Sequence, residues 1–193
     1  MALLVGVLSG CATSSPTEGR LNGQVLDPLP EVGAMSLPDA PSGSPFTFSA
    51  SPGGILLVYF GYTSCPDICP TTLSAVRTAL KQLGSDADRV QLAMVTVDPK
   101  RDTGSVLTRY LDSFVPGAHA LRTDDDEQLL AVADAFGASY AVSTGPGGSE
   151  EVAHTTFLYA VDDQGRIRVQ WPFGVQASEV ASDLRILLGE HGA

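Results

Sequence analysis

Residues 55–70 read Ile55-Leu56-Leu57-Val58-Tyr59-Phe60-Gly61-Tyr62-Thr63-Ser64-Cys65-Pro66-Asp67-Ile68-Cys69-Pro70. The unbroken apolar run Ile55 to Phe60 has the pattern of a central strand buried on both faces. After the second thiol, Pro70 opens a helical stripe of Leu73, Val76, Leu80 and Leu83, and Gly84 closes it, which predicts a helix over 70–83. Cys65 and Cys69 therefore fall in the loop between a buried strand and a helix N-terminus. The positive end of the helix dipole stabilises thiolate there, and thiolate is the form that attacks disulfides or binds soft metals. The spacing by itself leaves three readings open: a redox pair, a metal-ligand pair and a structural bridge.

Working outward, residues 90–97 (VQLAMVTV) predict the next strand, ended by Asp98-Pro99 because proline cannot donate to a ladder. Asp102 or Thr103 can cap a helix carrying Val106, Leu107, Tyr110, Leu111 and Phe114. A short strand near Ala120–Leu121 leads to Asp124-Asp125-Asp126-Glu127. These acids form either a metal cluster or, the weightier reading, the cap and dipole partners of a helix bearing Leu129, Leu130, Ala133 and Phe136. Residues 145–149 (GPGGS) read as a loop. Thr155–Val161 and Arg166–Trp171 read as a hairpin around the turn Asp162 to Gly165, and residues 178–188 as a closing helix. Ahead of all this, residues 21–54 are rich in Pro, Gly and Ser, with Val32 to Leu37 and Phe46 to Phe48 as a hairpin or edge strands. The order β-α-β-α-β-α-β-β-α, parallel strands with crossover helices and then an antiparallel hairpin, describes an α/β, thioredoxin-like fold. Its central mixed sheet is flanked by helices, with an N-terminal hairpin extension. That fold places a dithiol at the end of its first long strand.

The chain has 193 residues, which suits one domain plus a tail, and a net charge of −11 with only two lysines, Lys81 and Lys100. No basic stripe exists to follow a phosphate backbone, so a nucleic-acid partner is excluded, and a monomer is expected. Residues 1–10 (MALLVGVLSG) are apolar and lead through Leu8-Ser9-Gly10 to Cys11, which resembles a bacterial lipoprotein signal. On that resemblance Cys11 becomes the acylated N-terminus, residues 11–31 a flexible tether, and residues 32–193 a domain on the extracytoplasmic face of the cell membrane. The stretch departs from the pattern in having no Lys or Arg before its apolar core; a start site placed too far downstream accounts for that. The alternative is an apolar N-terminus with an incidental cysteine. Outside the cytoplasm disulfides persist, so Cys65 and Cys69 can alternate between dithiol and disulfide.

Three segments carry a family resemblance, and they occur in order. Phe60 to Pro70, Val97-Asp98-Pro99-Lys100-Arg101-Asp102-Thr103, and Val152-Ala153-His154-Thr155-Thr156 look like the signatures of the Sco/SenC family of copper-binding proteins. The resemblance spans roughly residues 32–190. It implies one copper, Cu(I) or Cu(II), held by Cys65, Cys69 and His154, and a role in assembling the binuclear copper site of cytochrome c oxidase. The implied partners are subunit II of the oxidase, or its apo copper-site domain, and another extracytoplasmic copper chaperone as donor. The residue types suit this: cuprous copper prefers thiolates, and imidazole serves either oxidation state. His154 also stands where thioredoxin-like reductases usually carry a cis-proline, and the dithiol has three intervening residues instead of two. Both departures point away from a general reductase.

Other candidates have two readings each. Asp98 either orients a ligand or forms the turn before Pro99. Asp67 either raises the local negative potential or is an ordinary loop residue. Tyr62 either packs over the site or belongs to the core. His119 and His191 are assigned no role. The function read from the sequence is a membrane-anchored copper chaperone, a binding module rather than an enzyme. The alternative is a thiol–disulfide oxidoreductase that keeps the oxidase copper-site cysteines reduced, with Cys65 and Cys69 as its redox-active pair. A peroxide-responsive thiol protein and a purely structural disulfide are weaker readings.

Overall fold

The computed structural model describes residues 20–144 and 150–190. The segment 1–10, Cys11, the start of the tether, the loop 145–149 and His191 lie outside the described residues.

The strands of the central sheet are β3 (Ile55–Gly61), β4 (Val90–Thr96), β5 (His119–Leu121), β8 (Leu158–Val161) and β9 (Ile167–Trp171), in the spatial order β5-β4-β3-β8-β9. β3 pairs parallel with β4 and antiparallel with β8, so the sheet is mixed, as the order of elements predicts. Every residue of β3 is buried, because both faces are covered. Ile55, Leu57 and Tyr59 face one core with the helices α1 (Ile68–Leu83), α2 (Gly104–Asp112) and α4 (Ala177–Glu190). Leu56, Val58 and Phe60 face the other, with α3 (Asp126–Ala135). The N-terminal hairpin, β1 (Ser36–Pro38) against β2 (Pro45–Thr47), closes that second face through Leu37 and Phe48. This is the thioredoxin-like architecture, and it puts the C-terminal end of β3 directly before the helix that carries Cys69.

Several boundaries differ from those read in the sequence. Helix α1 starts at Ile68, not at Pro70, so Cys69 lies in its first turn and only Cys65 remains in the loop. Proline fits there because the first turn leaves its N–H groups without intrahelical partners. Phe114 falls beyond the end of α2. An antiparallel ribbon, β6 (Tyr140–Thr144) with β7 (Glu150–His154), was not anticipated. It accounts for the late start of β8, at Leu158 rather than Thr155. Thr155 is still tied to the ribbon side, donating its N–H to the Ser139 carbonyl at 2.8 Å and accepting the Ser139 N–H at 2.9 Å. The chain must cross from there to the sheet before it can pair with β3.

Residues 20–31 run beside β9. Gln24 exchanges both backbone hydrogen bonds with Gln170, and Ile167 donates to the Pro30 carbonyl. The fully buried Asp183 of α4 accepts from the backbone N–H groups of Asn22 and Gly23 and from the Trp171 indole. A Cβ at Gly23 would lie 2.4 Å from Val169, so only glycine passes so close to β9.

Candidate functional site

The site is built where β3 stops. Gly61 ends the strand, Tyr62 to Asp67 turn the chain, and α1 begins at Ile68. Asp67 occupies the N-cap position but makes no side-chain cap; its carboxylate accepts from the Thr71 hydroxyl instead. The cap oxygen is replaced by sulfur: the Cys69 backbone N–H points at Cys65 Sγ, 3.3 Å away.

His154 reaches the dithiol from the end of β7, with Nε2 3.8 Å from Cys69 Sγ. Its Nδ1 lies 2.9 Å from the Thr155 carbonyl oxygen. A carbonyl only accepts, so Nδ1 carries the proton and Nε2 presents a lone pair towards the sulfurs. Burial lowers the His154 pKa from its ordinary value of 6.5, and the bond to Thr155 offsets this only in part. The ring therefore stays neutral into mildly acid solution. One donor atom from each of Cys65, Cys69 and His154 lies within 4.8 Å of the other two. Two sulfurs and one unprotonated imidazole nitrogen at that separation fit a soft cation.

The two sulfurs are not equivalent. Cys65, Tyr62, Ile68, His154 and Thr156 line an open cleft of about 500 Å³, whereas Cys69 lies behind it, 0% exposed against 8% for Cys65. Burial pushes the Cys69 thiol up to about 12, although the Tyr62 backbone and the Tyr59 hydroxyl both favour its anion. Tyr59 and Tyr62 meet the His154 ring edge to face, at 6.1 and 5.8 Å between centroids. These rings fix the imidazole plane from two sides.

The remaining candidates fall around this centre. Asp98 is buried and pairs with Arg101, whose guanidinium sits 5.9 Å from the Tyr62 ring centroid; it is outside the Cys/His cluster. Asp102 is not a cap. Thr103 takes the N-cap position, while the Asp102 carboxylate turns back to accept from the Thr63 N–H, the Thr63 hydroxyl and the Thr96 hydroxyl. It thereby ties the cysteine loop to the end of β4. The acids at 124–127 do cap α3: Asp125 accepts from the N–H groups of Glu127 and Gln128. His119 pairs with Asp39 at 3.0 Å, and its ring lies tilted against that of Phe46 in the N-terminal hairpin, 4.3 Å between centroids.

Sequence reasoning missed the roles of Gly61, Thr63 and Tyr59. A tyrosine inside an unbroken apolar run was a usable signal, since a buried phenol needs a partner for its hydroxyl.

A family model described as SCO1/SenC matches residues 33–189. A SCO2-like protein of Rickettsia prowazekii is 32% identical over 188 residues, which is 93% of this chain and 90% of the relative. The solution structure of apo Sco1 from Thermus thermophilus matches with a TM-score of 0.75 at 33% identity, over 87% of this chain and 97% of that one. Copper-bound ScoI of Bradyrhizobium japonicum matches with a TM-score of 0.68 at 32% identity, over 78% and 95% of the two chains.

Proposed function

The chain belongs to the SCO1/SenC family, and from that premise we propose that it holds one copper ion as cargo, through Cys65, Cys69 and His154, and delivers it to the binuclear copper site of cytochrome c oxidase. The observation that carries this reading is the convergence of two sulfurs and one imidazole nitrogen within 4.8 Å, on three different stretches of the fold. The copper-bound ScoI relative supports the choice of metal. The likeness of the three sequence segments to the Sco/SenC family supports the recipient. The cleft supports transfer rather than storage, because Cys65 and His154 face it and an incoming ligand can reach them while Cys69 keeps its hold from behind. The chain acts in this reading as a metallochaperone, anchored outside the cytoplasm through Cys11. Among the described residues no helix is long and apolar enough to cross a membrane.

The test is metal stoichiometry and visible absorption of the purified protein. The wild type is expected to bind one copper per chain, Cys65→Ser and Cys69→Ser to lose tight binding, and His154→Ala to weaken the cupric form most. Stoichiometric binding by the double cysteine variant would overturn the ligand assignment.

The second reading, a thiol–disulfide oxidoreductase, is favoured by one observation: Cys65 and Cys69 are free thiols and adjacent. Insulin reduction at the rate of a general reductase, without copper transfer to an apo copper-site domain, would put it first.

A further inference from the structure

We propose that Arg101 is a positioning residue for His154: it fastens Tyr62 against the imidazole and so keeps that ring turned towards the dithiol before metal arrives. The inference deepens the copper reading above, on which its consequence for affinity rests.

Three contacts in series carry it. Buried Asp98 accepts from Arg101 Nε. The Arg101 guanidinium stands 5.9 Å from the Tyr62 ring centroid, within the range at which a cation is drawn to the face of an aromatic ring. The Tyr62 ring then meets the His154 ring at 5.8 Å between centroids, with the planes 86° apart. The backbone holds the start of this series in place. The Asp98 carbonyl accepts from the N–H groups of Arg101 and Asp102 at 3.2 and 3.0 Å, which closes the turn after β4. The Val97 N–H donates to the Gly61 carbonyl at 3.0 Å, which laces that turn to the residue before Tyr62.

The two aromatic rings against His154 are held by different means. Tyr59 lies inside β3 and is wholly buried, so packing alone keeps it still. Tyr62 has left the strand and is only half-buried, on the wall of the open cleft with Cys65 and His154. On that side the fastening falls to Arg101. A guanidinium suits the task because it is planar and can bond a carboxylate while lying against a ring, which a lysine ammonium does less well. The segment from Val97 to Thr103 thereby gains a role at the site, although Asp98 and Arg101 stand outside the Cys/His cluster.

The experiment compares the full chain with Arg101→Gln, Arg101→Lys, Tyr62→Leu and the double variant Arg101→Gln/Tyr62→Leu. Each is first unfolded in urea to establish that it folds. Arg101→Gln leaves Asp98 buried without this partner, so Asp98→Asn/Arg101→Gln, which removes both charges, is measured beside it. In the metal-free protein, the nuclear Overhauser contact between the ring protons of Tyr62 and His154 is read. It is expected to fall to about half or less in both Arg101→Gln forms and to be largely kept in Arg101→Lys. Cu(I) affinity, read by competition with a chelator, is expected to fall about three- to fivefold in Arg101→Gln. The same substitution made in Tyr62→Leu is expected to change affinity by less than about twofold, because the ring it held is gone. A loosened fold or a lost positive charge would act equally in both backgrounds. An unchanged ring contact in the folded Arg101→Gln forms, or an equal affinity loss in the Tyr62→Leu background, would overturn this inference and leave the copper reading standing. A wild type that binds no copper would overturn the copper reading, and the metal-free ring contact would still decide the positioning role.

Discussion

Gly61 shows what one absent side chain does. Its backbone torsions are ordinary, so its role is space and not conformational freedom. A Cβ would meet the Tyr59 ring at 2.8 Å and both Cys69 Sγ and the Met94 methyl at 3.0 Å. These atoms are buried in one core and have nowhere to retreat. Gly61→Ala is therefore expected to cost about 1–3 kcal/mol by overpacking, read as a lower urea midpoint. It should weaken copper binding further than the stability loss explains, because the displaced atom is one of the two sulfurs proposed to hold the metal. An alanine variant with wild-type affinity would show that Cys69 tolerates movement. His154 makes the complementary point. One bond, from Nδ1 to the Thr155 carbonyl, fixes which nitrogen faces the dithiol.

At the scale of elements, the site is a meeting of ends: the C-terminal end of β3, the first turn of α1 and the last residue of β7. The loop between the first two is tied to the end of β4 by the Asp102 carboxylate, 0% exposed, with three donors on Thr63 and Thr96. The Asp102 backbone oxygen also accepts from Arg122. Asp102→Ala would leave the Thr63 N–H and two hydroxyls without their acceptor. The expected loss is about 2–4 kcal/mol in urea unfolding. Copper affinity should fall with it, since Thr63 lies two residues from Cys65. Unchanged affinity in a destabilised variant would mean that the cysteine loop holds its shape without this tie. The ribbon of β6 and β7 is tied less deeply. Its inner end is held by Ser139 and Thr155, while Tyr140 and Val152 pack against the second core and Val142 is exposed.

At the scale of the whole molecule, the proposed lipid on Cys11 would set how far the domain stands from a bilayer. Asn22 and Gly23 are fastened to Asp183, and Gln24 to Gln170, so among the described residues the chain is already held against the domain at residue 22. If Cys11 carries lipid, about ten residues separate the anchor from the first of these contacts, at most about 35 Å of extended chain. With that anchor the reach would keep the domain near the bilayer surface. Cys11→Ser is expected to shift the protein from the membrane fraction to the soluble one, or to leave it unprocessed, as read by fractionation and intact mass. A mature protein with no lipid mass and a different N-terminus would remove the anchor.

The linear chain determined most of the frame by itself. Ile55 to Phe60 read as a strand covered on both faces, because six consecutive apolar residues leave no side for water. The spacing of Leu73, Val76, Leu80 and Leu83 marked the side of α1 that packs inward, with Leu80 only partly covered. Cys65, Cys69 and His154 were legible because their residue types are rare and their context resembled a known family. Only the tertiary structure decided the rest. Local propensity offered Asp102 or Thr103 as a helix cap; Thr103 takes it, and burial beside Thr63 and Thr96 turned Asp102 into a clamp on the cysteine loop. Tyr59 read as one more apolar strand residue until folding set its hydroxyl beside Cys69 Sγ, ten positions away in the chain. The ribbon carrying His154 escaped notice because β6 and β7 pair chiefly with each other and lack the long apolar run of a central strand. Sequence patterns report which face of an element meets water, whereas hydrogen bonds between distant segments depend on where those elements finally cross.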